Sequence, residues 1–300
     1  MGILVVKLNE RCRGWRVACA ALGLALLLPL SALGQDAAGL RAKHASLSER
    51  LANNQFGRPL ALESLQTDGD LKGDVYVVVD HPFATVQQAL QSADNWCDIL
   101  ILHLNVKRCR VGDEGGKMLA LSVGRKFDQP IEKAYELDFA YRVPAAKSDY
   151  LQVQLTAPVG PLSTKNYRIQ VEATPVDPRR TMIHMSYAYG YGFAARMAMQ
   201  TYLATIGSQK VGFTITDHKP DGRPEYIGGV LGLLERNTMR YYLAIDAYLA
   251  AYSLPTADQV ERRIREWYAS TERYAPQLRE MEKVEYLEMK RKEIRRQKEG

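Results

Sequence analysis

Between residues 104 and 191 the chain alternates apolar and polar side chains with period two, segment after segment, and few folds satisfy that pattern. Tyr135, Leu137, Phe139, Tyr141 and Val143 share one side of an extended segment, and Glu136, Asp138 and Arg142 share the other. Leu151, Val153 and Leu155 alternate with Gln152, Gln154 and Thr156, and Tyr167, Ile169, Val171 and Ala173 alternate with Arg168, Gln170 and Glu172. Residues 117–125 and 181–191 read as further strands. Successive strand residues point to opposite sides, so this repetition predicts an antiparallel sheet with one buried and one wet face. Residues 73–80 (GDVYVVVD) differ, forming a near-continuous β-branched run that also reads as a strand. Residues 60–65 supply a strand before it, and residues 210–217 a last strand.

The helical pattern lies at the ends and in two insertions. Residues 37–53 place Leu40, Leu47 and Leu51 near one face. Two short helices follow His81-Pro82, over 84–92 and 93–98, with Trp96 expected inside. A helix is expected over 193–206, and a long one over 226–252 with Leu234, Thr238, Tyr241, Ile245 and Tyr248 along one stripe. Leu254-Pro255-Thr256 interrupts it, and residues 257–300 are helical but heavily charged. From Arg279 onward both signs recur at helical spacing, the pattern of a solvated helix with ion pairs worth a few tenths of a kcal/mol each. The basic excess over 290–298 suggests weak attraction to anionic lipid head groups or to a partner.

A meander of this kind must cover its apolar face, and the long striped helix is the natural cover. The fold class expected is α+β: a curved antiparallel sheet wrapped around a long C-terminal helix. The run at 73–90 (GDVYVVVDHPFATVQQAL), then Asn95-Trp96-Cys97, the strands, and 232–249 (GLLERNTMRYYLAIDAYL) together resemble the START-like (SRPBCC, helix-grip) superfamily, as an exported bacterial member. The resemblance spans about residues 60–252. It implies a hydrophobic ligand enclosed between sheet and helix, with a tryptophan-bearing helix filling one mouth. The helix at 193–206 and the charged tail depart from the simple pattern. The division expected is a signal peptide over 1–34, an N-terminal helix over 35–57, a START-like domain over 58–254 and a charged helical extension over 255–300.

The N-terminus reads as an export signal. Lys7, Arg11, Arg13 and Arg16 precede an uncharged run over 17–30, too short to span a bilayer. The small residues Ala32 and Gly34 then fit signal-peptidase cleavage after Gly34. Export predicts a periplasmic location. Of the four cysteines, Cys97 and Cys109 remain after cleavage, and in an oxidising compartment they read as one disulfide. The formal net charge of +6 falls to about +3 without the signal, which gives no argument for nucleic acid.

No serine elbow, phosphate loop or dinucleotide fingerprint is present, and the histidines are too scattered to suggest a metal site. Neither a catalytic residue, a metal nor a cofactor is predicted. His184 is the one histidine set within a strand; it reads as a hydrogen-bonded structural residue, or as a catalytic group if it faces the cavity. Tyr187, Tyr189 and Tyr191 form an aromatic face with Ile183 and Met185, suited to an amphipathic ligand or to plain packing. The candidate ligand-binding set is Trp96, Phe139, Tyr141, Ile183, Met185, Tyr187, Tyr189, Arg196, Met239 and Tyr242. Met197, Met199 and Tyr202 could act as a lid, and Arg196 or Arg240 could meet an anionic head group. The leading function is a periplasmic binding or carrier protein for a lipid or sterol-like molecule, with weak membrane-surface contact through the C-terminal helix. The alternatives are an enzyme on the same scaffold (cyclase, hydrolase or lyase) and an envelope interaction protein.

Overall fold

The structure, a computed structural model, describes residues 36–112, 115–192, 196, 197, 199, 201 and 210–299. The expected signal sequence and most of the helix expected over 193–206, including Tyr202, lie outside the described residues.

Eight strands form one antiparallel sheet: β1 (Leu60–Gln66), β2 (Asp70–Val79), β3 (Val106–Val111), β4 (Met118–Val123), β5 (Tyr135–Ala146), β6 (Leu151–Val159), β7 (Thr164–Asp177) and β8 (Arg180–Tyr191). Their order is β1-β2-β8-β7-β6-β5-β4-β3. Strands β3 to β8 form the expected meander, and β2 closes onto β8 with Gly73 opposite Tyr187 and Val75 opposite Met185. The link from β2 to β3 carries helices α3 (Phe83–Leu90) and α4 (Ala93–Leu100).

Helix α5 (Gly229–Ala251) lies against the inner face. Gly73 marks the closest approach: a Cβ there would fall 2.2 Å from Thr238 Oγ1. The inner face carries Val75, Val77, Ile183, Met185, Val171, Val153 and Leu155, all fully buried.

The outer face is wet only in part. Helices α1 (Ala37–Ser46) and α2 (Ser48–Ala52), which meet at a bend at Leu47, cover β1, β2 and β8 from outside. Leu40, Leu47 and Leu51 pack there against Ala61, Tyr76, Val78 and Met182. This accounts for the unbroken apolar run in β2: a strand buried on both faces has no polar side to show.

The last strand expected over 210–217 is not part of the sheet. Ile215–His218 (β9) instead pairs with Pro224–Tyr226 (β10) in a separate two-stranded ribbon. The cause is Glu235, buried on α5: its carboxylate accepts from the backbone N–H of Phe213 at 2.6 Å and of Thr214 at 2.9 Å, and from Ser64 Oγ at 2.7 Å. The segment before the ribbon is thereby tied to the helix rather than to a sheet edge.

The C-terminal residues form α6 (Thr256–Glu272), α7 (Ala275–Leu278) and α8 (Lys283–Glu299), and they share the main core through Trp267, Tyr286 and Ile294. The solvated helix expected here is in fact docked on β3, an edge strand. Gln297 Oε1 accepts from Cys109 N at 2.9 Å, and Tyr286 donates to Leu102 O at 3.0 Å. Lys290 is buried and donates to His103 O at 2.7 Å and to Val106 O at 2.9 Å. Arg291 and Lys292 pair with Glu261 and Asp128, while Arg295 and Lys298 face solvent. A disulfide joins Cys97 of α4 to Cys109 of β3, with Cα atoms 5.1 Å apart.

Candidate functional site

The inner face of the sheet carries a wall of aromatic rings. Strand parity builds it: Phe139 lies on β5, Tyr167 on β7, and Tyr187 and Tyr189 on β8, and register sets Ile169 opposite Tyr187. The Tyr167 and Tyr189 rings stack at 5.3 Å, and Phe139 meets Tyr167 edge-on at 6.4 Å. Helix α5 adds Tyr241, whose ring lies 5.0 Å from that of Tyr187, and His103 stacks on Tyr241 at 4.5 Å.

These phenols sit deep in the protein. Desolvation raises Tyr187, Tyr189 and Tyr241, with the neighbouring rings adding to the shift, so all three stay protonated. Yet Tyr167 and Tyr241 are only partly buried. The hydroxyls of Tyr187 and Tyr241 have no hydrogen-bond partner among the described residues, and that of Tyr141 is buried without one. His103 accepts from Asn105 N at its Nδ1, at 3.2 Å, which places its proton on Nε2. Burial, followed by the charge of Arg240, pushes this imidazole well down, so it is neutral.

The structure brings some of the predicted residues together and scatters others. Phe139, Tyr187 and Tyr189 stand in the wall, with Ile183 and Met185 fully buried along the same strand and Tyr141 one register row from Phe139. Trp96 is buried between the short helices, where its Nε1 donates to Leu90 O at 2.7 Å. Arg196 is exposed, with its guanidinium 5.7 Å from the Tyr191 ring. Met199 reaches the wall, its sulfur 4.0 Å from the Tyr189 hydroxyl. Met239 is fully buried in the core. Tyr242 turns away from Tyr187: its hydroxyl lies 3.3 Å from Asp246 and its ring lies under Arg58. Arg240 is buried and pairs with Glu280 at 2.7 Å, so it is committed to an internal ion pair. Tyr241, Tyr167 and His103 were not among the expected site residues. The helical stripe did contain Tyr241, but which edge of the stripe meets Tyr187 depends on how α5 is rotated.

His184 belongs to a different arrangement. It follows Ile183 and therefore points to the outer face, so the expectation that it could serve chemistry inside the grip fails on strand parity. Its Nδ1 lies 2.8 Å from Glu172 Oε2 and its Nε2 lies 2.8 Å from Asp74 Oδ1. Tyr76 stacks on the ring at 4.3 Å, and Tyr150 hydrogen-bonds Glu172. Burial alone would lower this imidazole, but the two carboxylates outweigh it and raise it. The two acids clamp the ring under α1 and favour its charged form. The cluster joins β2, β7 and β8 and has no position left for a substrate.

Strand order, meander and a long helix gripped on the inner face together decide the architecture. The chain has a helix-grip α+β architecture. No family model and no curated protein matches the chain. Several solved structures are similar to parts of it. A START superfamily protein from Mycobacterium smegmatis aligns at 14% identity over 45% of this chain and 88% of its own, with a TM-score of 0.30. Norcoclaurine synthase from Thalictrum flavum, in complex with dopamine and hydroxybenzaldehyde, aligns at 11% identity over 47% and 77%, with a TM-score of 0.32. The Zhui aromatase/cyclase from Streptomyces sp. R1128 aligns at 13% identity over 68% and 97%, with a TM-score of 0.34.

Proposed function

We propose that this helix-grip protein is an exported binding or carrier protein that holds a hydrophobic or amphipathic small molecule between its sheet and α5. The observation that carries the reading is the aromatic wall. Its rings are deep enough for desolvation to raise their phenols, yet Tyr167 and Tyr241 retain accessible surface, and the Tyr187 and Tyr241 hydroxyls lack partners among the described residues. Buried polar groups in a finished core are almost always paired. Unpaired hydroxyls on an apolar wall suit a site that is completed by a ligand. Binding would gain about 25 cal/mol per Å² of apolar surface removed from water, and needs no catalytic group.

The export signal read at residues 1–34 and the Cys97–Cys109 disulfide support work in an oxidising compartment, the bacterial periplasm. No helix among the described residues is long and apolar enough to cross a membrane. Weak contact of α8 with anionic lipid would rest on Arg295 and Lys298, because Lys290 to Lys292 are engaged within the fold.

Native mass spectrometry of protein released gently from the periplasm, followed by organic extraction, tests the reading. A stoichiometric co-purified hydrophobic molecule is the expected result. Protein that is empty and also takes up no added hydrophobic probe would rule the reading out.

A further inference from the structure

The polar groups of the wall restrict what kind of molecule it can hold, an argument that rests on the binding reading above. Tyr187 and Tyr241 face each other from sheet and helix, with ring centroids 5.0 Å apart. Tyr187 is buried and Tyr241 partly buried, and neither hydroxyl has a partner among the described residues. The base of the wall is His103, a neutral imidazole whose Nδ1 is already occupied by Asn105 N. The nearest arginine of the expected site, Arg196, is outside on Tyr191, and Arg240 is paired with Glu280. The cations whose charge reaches His103, namely Arg240, Lys126, Lys290 and Lys107, are already paired with Glu280 and Glu293, so a fatty-acid carboxylate or a phosphate drawn into the wall would give up its hydration for a counter-charge that is already neutralised, a costly exchange. An uncharged oxygen loses less, and here it can accept from two phenols. The walls themselves are ring faces and edges, which favour another ring over a flexible chain, and a rigid ring also loses less conformational freedom on binding.

We infer that the grip takes an uncharged, ring-bearing ligand with a hydrogen-bond-accepting oxygen, held by the Tyr187 and Tyr241 hydroxyls, in preference to a fatty acid or a phospholipid. Desolvation keeps both phenols protonated, so they act as donors at any physiological pH.

Three probes separate the possibilities on the exported protein: flavone (flat, with one carbonyl), phenanthrene (flat, without oxygen) and palmitate. Binding is read by intrinsic fluorescence for the wild type and for the Tyr187→Phe/Tyr241→Phe double variant, whose folding is checked by circular dichroism. Flavone is expected to bind more tightly than palmitate. The double variant is expected to weaken flavone by about tenfold, the equivalent of about 1.4 kcal/mol, and to leave phenanthrene unchanged. Palmitate binding as tightly as flavone, or equal losses for flavone and phenanthrene, would overturn the ligand class while leaving the binding reading intact. Failure of all three probes to bind would overturn both.

Discussion

Lys290 Nζ lies 2.7 Å from Glu293 Oε2, and neither side chain reaches solvent. Lys107 of β3 reaches the other oxygen of the same carboxylate at 3.0 Å, also fully buried. One acid thus serves two ammonium groups, whose remaining hydrogen bonds go to the carbonyls of His103, Leu104 and Val106 and to the Met289 sulfur. Breaking such a cluster from one side strands a charge in the interior. Glu293→Gln leaves two ammonium groups without their carboxylate and is expected to cost roughly 3–5 kcal/mol in urea denaturation. Replacing all three by Met or Leu of similar volume should cost much less. If both variants unfold at the same urea concentration, the cluster stabilises through its shape and not its charge.

The clamp on His184 gives stability a defined pH dependence. Its pKa is raised above the ordinary 6.5, so folding favours the imidazolium. That contribution is complete below 6.5 and is lost as pH rises through the folded value. Asp74 and Glu172 are lowered, against the effect of their burial, chiefly by hydrogen bonds to His184. Their contribution is complete above their ordinary values of 3.8 and 4.5 and is lost as pH falls through the folded ones. Stability should therefore peak between about pH 4.5 and 6.5 for this cluster and decline on either side. In urea titrations at about pH 5.5 and 8.5 the wild type should lose stability at the higher pH, and His184→Gln should lose less. An equal loss in both would show that another group sets the alkaline limb.

Gly73 lets α5 settle on β2. Any side chain there meets Thr238, whose Oγ1 would be 2.2 Å from the new Cβ. Gly73→Ala is expected to destabilise by about 1–3 kcal/mol, the usual cost of overpacking. Thr238→Ala removes the obstructing oxygen and methyl, so the double variant should recover most of the loss. A double-mutant cycle measures this directly, and strictly additive effects would argue against the contact.

The Cys97–Cys109 bridge closes a short loop, with a separation of 12 residues, between α4 and an edge strand. Cys97→Ser/Cys109→Ser is expected to lower stability by about 3 kcal/mol, read as a drop in Tm. Wild-type protein treated with reductant should melt with the variant. A reductant-insensitive Tm would mean that the bridge adds nothing to the packing of α4.

Much of the sheet was legible because its information is local. Period-two alternation at Tyr135 to Val143 and at Tyr167 to Ala173 requires one apolar and one polar face whatever the rest of the chain does. The alternation also assigned Ile183, Met185, Tyr187 and Tyr189 to one side, and that is the side on which the wall stands. The alternation at 210–217 does not reveal the ribbon at Ile215–His218, because its course depends on Glu235, a side chain some twenty residues further along the chain. Lys290 and Glu293 looked like solvated helix charges because i,i+3 spacing is the same for a surface pair and for a buried one.

Sequence alone determined that this chain makes a curved antiparallel sheet with a long helix to cover it, since alternation and helical stripes follow from the geometry of the backbone. It also determined the pairing of Cys97 with Cys109. Tertiary structure alone decided which edge of the helix faces the tyrosines, selecting Tyr241 and turning Tyr242 toward Arg58 and Asp246. It decided as well that His184 is a clamp under α1 and that the charged tail seals β3. These outcomes depend on helix rotation and on pairings between residues far apart in the chain, and neither leaves a periodic trace in the sequence.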